Sequence, residues 1–376
     1  MTIWIIPPTC QNYNFWYHLP GFGSMPTSKL MRFPGLADVH VHLRVPGGEH
    51  KEDFFTGTAA AIAGGFTTVL AMPNTTPPLV TRETLHTVQR QAQVEALCDV
   101  HFYAGASPDH LDELPALARD AVGLKLYADQ TYGPLRVENL ATLLACFQRW
   151  PRGKPIAMHA EGRTVAVGIG LAAAFEQHVH FCHVSRKDEI ELIAAAKARG
   201  LPVTCEVTPH HLFLTEADAT RLGPLGDMRP RLATQADVDA LWAHLNTTVG
   251  CIATDHAPHT LVEKHSPDAP PGVPGLETAL PLMLTAVHEG RLSIERLLEL
   301  MVYNPRRIFG LPEQPETWIE VDLDTNYTLS NEGLHTKCGW SPFSGMQVTG
   351  RVRSVCLRGH RVYQNGEIIP TEAGHR

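Results

Sequence analysis

Short apolar runs alternate with amphipathic stretches along most of the chain. Between residues 36 and 255, an apolar run is followed by a stretch of helical periodicity about eight times. The apolar runs predict strands at Leu36–Leu43, Thr67–Met72, Val100–Ala104, Gly123–Tyr127, Pro155–His159, Val179–Val184, Pro202–Val207 and Gly250–Asp255. The periodic stretches predict helices at Phe54–Ala63, Arg82–Ala96, Val137–Cys146, Thr164–Glu176, Lys187–Ala198, Gln235–Leu245, Leu276–His288 and Ile294–Val302.

Strands that alternate with helices are typical of an α/β fold with a parallel sheet. Eight such repeats without a break favour a closed (β/α)8 barrel of the TIM type over residues 36–315. A doubly wound open sheet is the alternative fold. No GxGxxG pattern follows the first predicted strand to support a dinucleotide-binding fold of that kind.

The two ends of the chain differ from this region. Trp318–Leu323 and Gln347–Arg353 alternate apolar and polar residues, and Asn365-Gly366 is a tight-hairpin signal. We expect residues 29–35 and 316–370 to form a small β subdomain beside the barrel. Residues 1–28 contain no Lys or Arg and so lack the charged start of a secretory signal, and we expect a disordered extension there.

The amino-acid composition argues against some classes of protein and favours others. With 376 residues and 44% hydrophobic content, the chain can bury a large core. Its formal net charge of -8 argues against a nucleic-acid-binding surface, and no apolar run is long enough to span a membrane. The eight cysteines include no CxxC pair, so we expect a reducing, cytoplasmic location.

The first predicted strand carries a polar residue at every second position. Two histidines on one face of a strand can point at the same metal ion. The polar face consists of Asp38, His40, His42 and Arg44, and the apolar face of Val39, Val41 and Leu43. A His-x-His pair is weak evidence alone, because paired core or surface histidines are common.

Further polar residues stand at the carboxyl ends of the later strands, where barrels of this kind place their chemistry. These residues are Asn74, Lys125, His159, His183, Glu206 and Asp255. A lone histidine there is more often a hydrogen-bonded core residue, and Asp255 could simply cap a turn. Four histidines, an aspartate and a lysine at one rim together predict a metal site.

Lys125 needs an explanation of its own, because a buried lysine without an acidic neighbour is costly and an ammonium cannot bind a metal. Reaction of its amine with CO2 would give a carbamate whose two oxygens can bridge two ions. Imidazole, carboxylate and carbamate suit Zn²⁺, which lowers the pKa of bound water to about 7. Asp255 beside that water could act as general base and acid in hydrolysis of an amide, or in its reverse.

Six segments of the sequence resemble the amidohydrolase superfamily and, within it, the dihydroorotases. The resemblance is greatest to the dihydroorotase domain of the trifunctional animal pyrimidine-synthesis protein and extends from about Lys29 to about Gly366. The segments that carry it are Pro34–Arg44, Ala71–Thr75, Gly123–Tyr127, Cys182–Val184, Cys205–His211 and Asp255–His259.

This resemblance implies two zinc ions and a carboxylate-bearing substrate, N-carbamoyl-L-aspartate, which closes reversibly to dihydroorotate through a metal-bound hydroxide and Asp255. It implies one ion held by His40, His42 and Asp255, a second held by His159 and His183, and a carboxylated Lys125 between them. It implies a third ion at Cys182 and Glu206, shared with His40. The implied substrate contacts are Arg44, Asn74, Arg229, His259, Pro271 and Gly272.

The resemblance also implies a mobile loop over the substrate, which includes Thr131 and Tyr132. The animal domain has phenylalanine at the second position, so Tyr132 keeps the ring and adds a hydroxyl. A homodimer is expected from the family, as is a carbamoyltransferase partner or fused domain.

Three rival functions remain. A dihydropyrimidinase, hydantoinase or allantoinase would use the same metals on uncharged rings, which offer no carboxylate for Arg44. A scaffold of this fold without catalysis would lack metal ligands, whereas every expected ligand is present here. A metal-binding or storage module would not need substrate groups beside the metals.

Overall fold

The structure is a computed structural model that describes residues 30–133, 135–137 and 139–370. The extension predicted for residues 1–28 lies outside the described residues. The strands are β1 (Leu30–Pro34), β2 (Leu36–Val41), β3 (Phe66–Ala71), β4 (Asp99–Phe102), β5 (Ala104–Gly105), β6 (Leu124–Tyr127), β7 (Ile156–His159), β8 (Val179–Phe181), β9 (Val203–Val207), β10 (Cys251–Ile252), β11 (Trp318–Thr328), β12 (Gln347–Leu357), β13 (His360–Gln364) and β14 (Glu367–Ile368).

Helices follow most of the barrel strands. They are α1 (Phe54–Ala63), α2 (Arg82–Glu95), α3 (Leu114–Asp120), α4 (Leu140–Arg149), α5 (Arg163–Phe175), α6 (Lys187–Ala198), α7 (Pro209–Phe213), α8 (Glu216–Leu222), α9 (Gln235–His244), α10 (Leu261–Lys264), α11 (Leu276–His288), α12 (Ile294–Leu298) and α13 (Asn304–Phe309). Two 3₁₀ turns (Pro108–Glu113 and Gly223–Gly226) and one π-helical turn (Glu299–Tyr303) join them.

Strands β2 to β10 form a closed ring in which neighbouring strands are parallel. One sheet runs in the order β2-β3-β4 and the other in the order β5-β6-β7-β8-β9-β10. Strands β4 and β5 are two pieces of one ring position, interrupted at Tyr103. A parallel bridge between Val41 and His256 closes the other gap, where the amide of His42 donates to the carbonyl of His256 at 2.7 Å. The predicted (β/α)8 barrel is confirmed, and the open-sheet alternative is wrong.

The helices begin where the sequence supplies a capping side chain. Asp53, Thr81 and Thr234 each accept a hydrogen bond from the amide three residues later, which satisfies a free N–H at the start of α1, α2 and α9. Strands β2, β3, β6 and β7 are buried along their whole length, as expected for a parallel sheet covered by helices.

The chain ends form a separate antiparallel sheet in the order β1-β11-β12-β13-β14. Strand β1 pairs with β11 from Leu30 opposite Asp322 to Pro34 opposite Trp318, so the residues before the barrel are joined to those after it. This agrees with the predicted small β subdomain. The division of the chain at residues 36–315 stays a prediction.

Several predicted strands are too long. Asp255 and His183 lie beyond the ends of β10 and β8, and both adopt a positive φ, 46° and 35° respectively. Arg44 lies beyond β2 with a φ of 64°. Positive φ values are uncommon for residues other than glycine and occur mainly where function or surrounding structure requires them. The apolar runs therefore identify the strands, but these three polar residues lie in the loops that follow them.

The helices also differ from the prediction in their boundaries and number. Helix α4 starts three residues later than predicted, at Leu140, and α3, α7, α8 and α10 lie in regions without a predicted helix.

Among the described residues, no helix is long and apolar enough to cross a membrane. All seven described cysteines are buried and free.

Candidate active site

Strand β2 does not alternate strictly. Its register with β3 slips between Asp38 and Val41. As a result Val39 packs in the apolar cluster inside the ring, with Leu70, whereas Val41 packs in the outer cluster beneath the helices. The prediction that Val39 and Val41 share one face is therefore wrong, because a bulge inserts a residue into the pleat.

His40 and His42 converge with Asp255 at the mouth of the barrel. The Nε2 atoms of both imidazoles lie 3.2 Å from the same oxygen, Oδ1 of Asp255. Their other nitrogens face acceptors: Nδ1 of His40 donates to Glu206 at 2.5 Å, and Nδ1 of His42 donates to Oδ1 of Asn74 at 2.9 Å. Each ring thus turns its Nε2 inward toward Asp255, the direction that a metal ligand requires.

The charges around His40 favour its protonated form. Burial and Lys125 act to lower the pKa of His40, but the carboxylates of Asp255 and Glu206 outweigh them and raise it to about 10. For Asp255, burial acts to raise the pKa, but the neighbouring histidines outweigh it and hold the pKa well below its ordinary range. Without a metal ion, His40 therefore keeps a proton that balances these carboxylates, and a bound cation would take the place of that proton.

His159 and His183 form a second converging pair. Nδ1 of His159 lies 2.9 Å from Nε2 of His183, and both rings are buried. Burial lowers the pKa of both histidines, so both rings are neutral. Their outer nitrogens, Nε2 of His159 and Nδ1 of His183, have no hydrogen-bond partner among the described residues. Glu161 approaches the former to 3.3 Å, but not in hydrogen-bonding geometry.

Lys125 lies within β6, and its charge acts on histidines of both pairs. Its side chain is completely buried, and its ammonium donates to Sγ of Cys182 at 3.0 Å. The ring of Tyr127 lies 5.1 Å from the Lys125 ammonium, and its hydroxyl has no partner among the described residues. The acidic neighbour that would make Lys125 an ordinary buried ion-pair residue is absent from the described residues within 4.0 Å.

A further group of possible ligands adjoins His40. Ligand atoms of His40, Cys182 and Glu206 lie within 4.8 Å of one another, as do those of His40, His183 and Asp255. Glu206 is also held by His180, whose Nε2 lies 3.1 Å from the second carboxylate oxygen. His180 was not singled out in the sequence, because it stands in the middle of an apolar strand.

These observations fit a divalent metal centre. Converging ring nitrogens, the neutral imidazoles of His159 and His183, and the buried carboxylates beside His40 are features that a bound cation would satisfy. His40, His42 and Asp255 could hold one ion, and His159 and His183 a second. Nitrogen and oxygen donors of this kind suit Zn²⁺.

Arg44 is a buried cation that lines the same cavity as His42 and Asp255. Only 8% of it is exposed, and burial lowers the pKa of its guanidinium. Its Nε donates to the carbonyl of Pro258 at 3.1 Å, and one terminal nitrogen lies 3.0 Å from Nε2 of His259. None of the described residues forms an ion pair with Arg44 within 4.0 Å. A buried guanidinium without a carboxylate partner is suited to bind an anion.

The remaining predicted substrate contacts lie around the same cavity. Its lining includes His42, Arg44, Asn74, Thr131, Tyr132, Arg229, Asp255, Pro271 and Gly272. His259 touches it through Nε2, which lies 3.1 Å from the carbonyl of Pro271. Gly272 has a φ of 137°, and a Cβ atom there would lie 2.7 Å from the carbonyl of Ala257, so only glycine fits. The structure thus brings all the predicted substrate contacts together.

Arg229 differs from Arg44 in its partners. Its guanidinium donates to Asp227 at 2.5 Å and to the carbonyl of Met228 at 2.8 Å. It also lines a second, open cavity with Asp129, Gln130, Glu161, Arg186 and Arg231. Arg229 therefore has an acidic partner, which Arg44 lacks among the described residues, and Arg229 still reaches the substrate cavity.

Two charged residues of this region, Lys51 and Glu263, were not predicted from the sequence. Lys51, only 6% exposed, donates to Nδ1 of His259 at 3.1 Å and pairs with Glu263 at 2.9 Å. Burial acts to raise the pKa of Glu263, but hydrogen bonds from Lys51 and His50 outweigh it and lower the pKa to about 2. Lys51 stands in a polar segment before α1, and Glu263 stands in the short helix α10. In the sequence both segments look like solvent-exposed loops, so no pattern predicted either residue.

Comparisons with known proteins agree with this geometry. The sequence pattern of the amidohydrolase family matches residues 31–315. The chain is 50% identical over 347 residues to Multifunctional protein CAD of Squalus acanthias, covering 92% of this chain but only 15% of that protein. It is 34% identical over 357 residues to Dihydroorotase of Pyrococcus furiosus, covering 91% of this chain and 84% of that protein.

A solved structure shares the architecture. L-hydantoinase (dihydropyrimidinase) from Arthrobacter aurescens superposes with a TM-score of 0.85 at 29% identity, covering 92% of this chain and 87% of that one. Proteins with this fold thus carry names that refer to more than one cyclic substrate. The substrate must be inferred from the side chains of the site.

Proposed function

The chain belongs to the amidohydrolase family, and we propose that it is a dihydroorotase. It would close N-carbamoyl-L-aspartate to dihydroorotate with release of water, and reverse the reaction, as a step of pyrimidine synthesis. The observation that carries this proposal is Arg44, a buried guanidinium with no acidic partner among the described residues, next to the candidate metal ligands. Both proposed substrate forms bring the carboxylate that this cation lacks.

Arg44 and His259 would bind the substrate carboxylate together. Because Nδ1 of His259 accepts a hydrogen bond from Lys51, its proton must be on Nε2, where the carbonyl of Pro271 accepts it. Nε2 of His259 is therefore a donor, and a substrate carboxylate, as the stronger acceptor, would take this hydrogen bond from the Pro271 carbonyl. The same carboxylate would accept from the Arg44 nitrogen that lies 3.0 Å from Nε2, because one donor cannot bond to the other. Two donors at one end of the cavity fix the ring so that its amide bond lies toward Asp255.

Asp255 is proposed to move the proton. Its pKa is held well below the ordinary range, so it is ionised and ready to accept a proton from the attacking water. It would return that proton to the ring nitrogen as the amide bond breaks. In the reverse direction, Asp255 takes the proton from the carbamoyl nitrogen as the ring closes and delivers it to the departing water.

We propose that this site holds Zn²⁺ and that Lys125 is carboxylated. The residues that would hold the ions are His40, His42, His159, His183 and Asp255, with the carboxylated Lys125 between the two ions. Bound metal would polarise the scissile carbonyl and acidify water. The complete burial of Lys125, with no carboxylate within 4.0 Å among the described residues, supports the modification, because carboxylation removes a buried positive charge.

A third ion at His40, Cys182 and Glu206 is part of the proposal. The three ligand atoms lie close enough together for one ion, and the carboxylate of Glu206 is fully buried. Lys125 now shares Cys182 with this group, so carboxylation of the lysine would also free the thiol.

The wider setting is proposed from the relatives. The chain spans 15% of the length of Multifunctional protein CAD of Squalus acanthias, whose name describes it as multifunctional. We therefore propose that this activity works beside, or fused to, other enzymes such as a carbamoyltransferase, in a reducing, cytoplasmic location. A homodimer is proposed as well, and sedimentation of the purified chain tests it.

The test is turnover of three rings by one zinc-loaded preparation: dihydroorotate, dihydrouracil and allantoin. We expect activity on dihydroorotate alone, lost on chelation and restored by Zn²⁺. Activity on an uncharged ring instead would make the protein a dihydropyrimidinase-like or allantoinase-like enzyme. Zinc binding without turnover of any ring would favour a scaffold or a metal-storage protein.

A further inference from the structure

Lys51 uses all three of its N–H groups on partners from three different segments. Its ammonium lies 2.9 Å from Glu263 in α10, 3.1 Å from Nδ1 of His259 and 3.3 Å from the hydroxyl of Tyr132. An ammonium has three donors and no acceptor, so this set is complete. The carboxylate of Glu263 balances its charge, and burial makes each of these bonds stronger than it would be in water.

Tyr132 is held by both its ends. Its backbone carbonyl accepts a hydrogen bond from Nδ2 of Asn74 at 3.0 Å, and its hydroxyl accepts the one from Lys51. Its ring meets His259 edge to face, with centroids 5.3 Å apart, and lies 5.8 Å from the Arg44 guanidinium. The ring therefore covers the two proposed carboxylate-binding residues.

These contacts join the loop to residues that hold the candidate metal ligand His42 and the proposed substrate contact His259. Nδ2 of Asn74 holds the loop while its Oδ1 holds His42, and Lys51 holds the loop while it holds His259. At 40% exposure, Tyr132 has too little apolar burial to stay in place by packing alone. The polar contact to Lys51 is the one that a phenylalanine at this position could not make.

We propose that Lys51 is a positioning residue that holds the loop containing Tyr132 closed over the carboxylate end of the substrate cavity. The hydroxyl of Tyr132 is the loop's contribution to this contact, and Glu263 keeps Lys51 in place. The effect on substrate rests on the proposed function, whereas the effect on the loop does not.

The test measures hydrogen exchange of the loop amides in the zinc-loaded full chain without substrate. Tyr132→Phe removes only the hydroxyl, and Lys51→Met removes the donor while keeping the aliphatic stem. Tyr303→Phe and Lys187→Met are matched controls at exposed positions away from the site. We expect exchange at residues 130–133 to rise about five-fold in Tyr132→Phe and at least as much in Lys51→Met, and to stay unchanged in the controls.

Kinetics of dihydroorotate hydrolysis give the second readout. We expect Tyr132→Phe to raise KM about five-fold with kcat within about two-fold, because it loosens the cover and leaves Asp255 and the metal ligands in place. The double variant should match Lys51→Met alone, since the hydroxyl acts only through the ammonium. Multiplied losses in the double variant would overturn the proposal.

The two proposals can fail separately. Faster loop exchange in both variants, with no turnover of dihydroorotate by the parent chain, would keep the role of Lys51 and overturn the substrate. Turnover by the parent with unchanged exchange and KM in both variants would keep the substrate and overturn the role of Lys51.

Discussion

The ammonium of Lys125 donates to the sulfur of Cys182 across 3.0 Å, in a place that water does not reach. A thiol is a weak acceptor and cannot balance a buried charge. Lys264 in α10 is also fully buried, but its hydrogen bonds differ from those of Lys125. Its ammonium donates to the carbonyls of Asp227, Pro270 and Gly272. Among the described residues, Lys125 has no carbonyl acceptor of this kind, and the sulfur of Cys182 is its hydrogen-bond partner.

Lys125→Ala should abolish turnover, with a loss on the order of a thousand-fold, because the group between the two histidine pairs is removed. The modification itself can be observed by ¹³C NMR after exchange with labelled bicarbonate. We expect a carbamate signal in the parent chain and in the control Lys187→Ala, and none in Lys125→Ala. Full activity of Lys125→Ala with its metal content intact would show that the bridge assignment is wrong.

Asp255→Asn should lower kcat far more than it changes KM. The amide keeps the shape of the side chain beside His40 and His42 but cannot accept the proton of water. A loss on the order of a thousand-fold is expected for a residue that both contacts metal and carries the proton. Metal analysis of the same sample separates the two effects, since loss of zinc would assign the defect to binding of the ion.

The sequence specified the fold and most of the site for physical reasons that can be named. Parallel strands bury both faces, so Leu36–Val41 and Ile156–His159 stand out as apolar runs with histidine near their ends. Strand ends meet at one rim, so His40 and Asp255, far apart in sequence, were expected together. The slip after Asp38 was not visible, because a bulge leaves no mark on an alternating pattern.

The parts that sequence could not supply are contacts between loops. Lys51 lies in a polar segment that precedes α1, and Glu263 lies in the short helix α10 that follows β10; polar stretches between core elements are usually exposed. Their burial depends on how the loops after β2 and β10 meet over the barrel mouth. No periodicity encodes that meeting, so only coordinates reveal a charged pair next to His259.

Arg44→Lys should chiefly weaken substrate binding. Lysine keeps the charge but loses the planar fork and the bond from Nε to the carbonyl of Pro258. We expect KM for dihydroorotate to rise about ten- to a hundred-fold, with a smaller fall in kcat. Arg186→Lys, at the rim of the neighbouring cavity, is the control. Equal KM in Arg44→Lys and the parent would show that the carboxylate binds elsewhere.

Cys182→Ser tests the third ion. A hydroxyl is a far poorer zinc ligand than a thiolate, and the two proposed histidine sites do not use this side chain. Metal analysis should give about three zinc ions per parent chain and about two for Cys182→Ser. Cys205→Ser, a buried cysteine in β9 outside the cluster, is the matched control. Two ions in the parent chain would remove the third site from the proposal.

Glu277 should make the stability of the fold depend on pH. Its carboxylate, in the first turn of α11, accepts hydrogen bonds from the amides of His335 at 2.9 Å and Thr336 at 3.2 Å. Burial nevertheless dominates and raises the pKa of Glu277 from 4.5 to about 7. The folded protein therefore binds a proton that the unfolded chain releases between these two values.

Stability from Glu277 is thus fully present below about pH 4.5 and is lost as the pH rises through about 7. Urea unfolding of the zinc-loaded chain from pH 5 to pH 8 should show the parent losing up to about 3 kcal/mol relative to Glu277→Gln, whose amide cannot ionise. Using the difference between the two proteins cancels the titration of the metal ligands, which both share. Glu289→Gln, at the exposed end of the same helix, should track the parent. A parent-minus-variant difference that stays flat across this range would mean that Glu277 is ionised in the folded protein at pH 5, held by its two amide donors against the cost of burial.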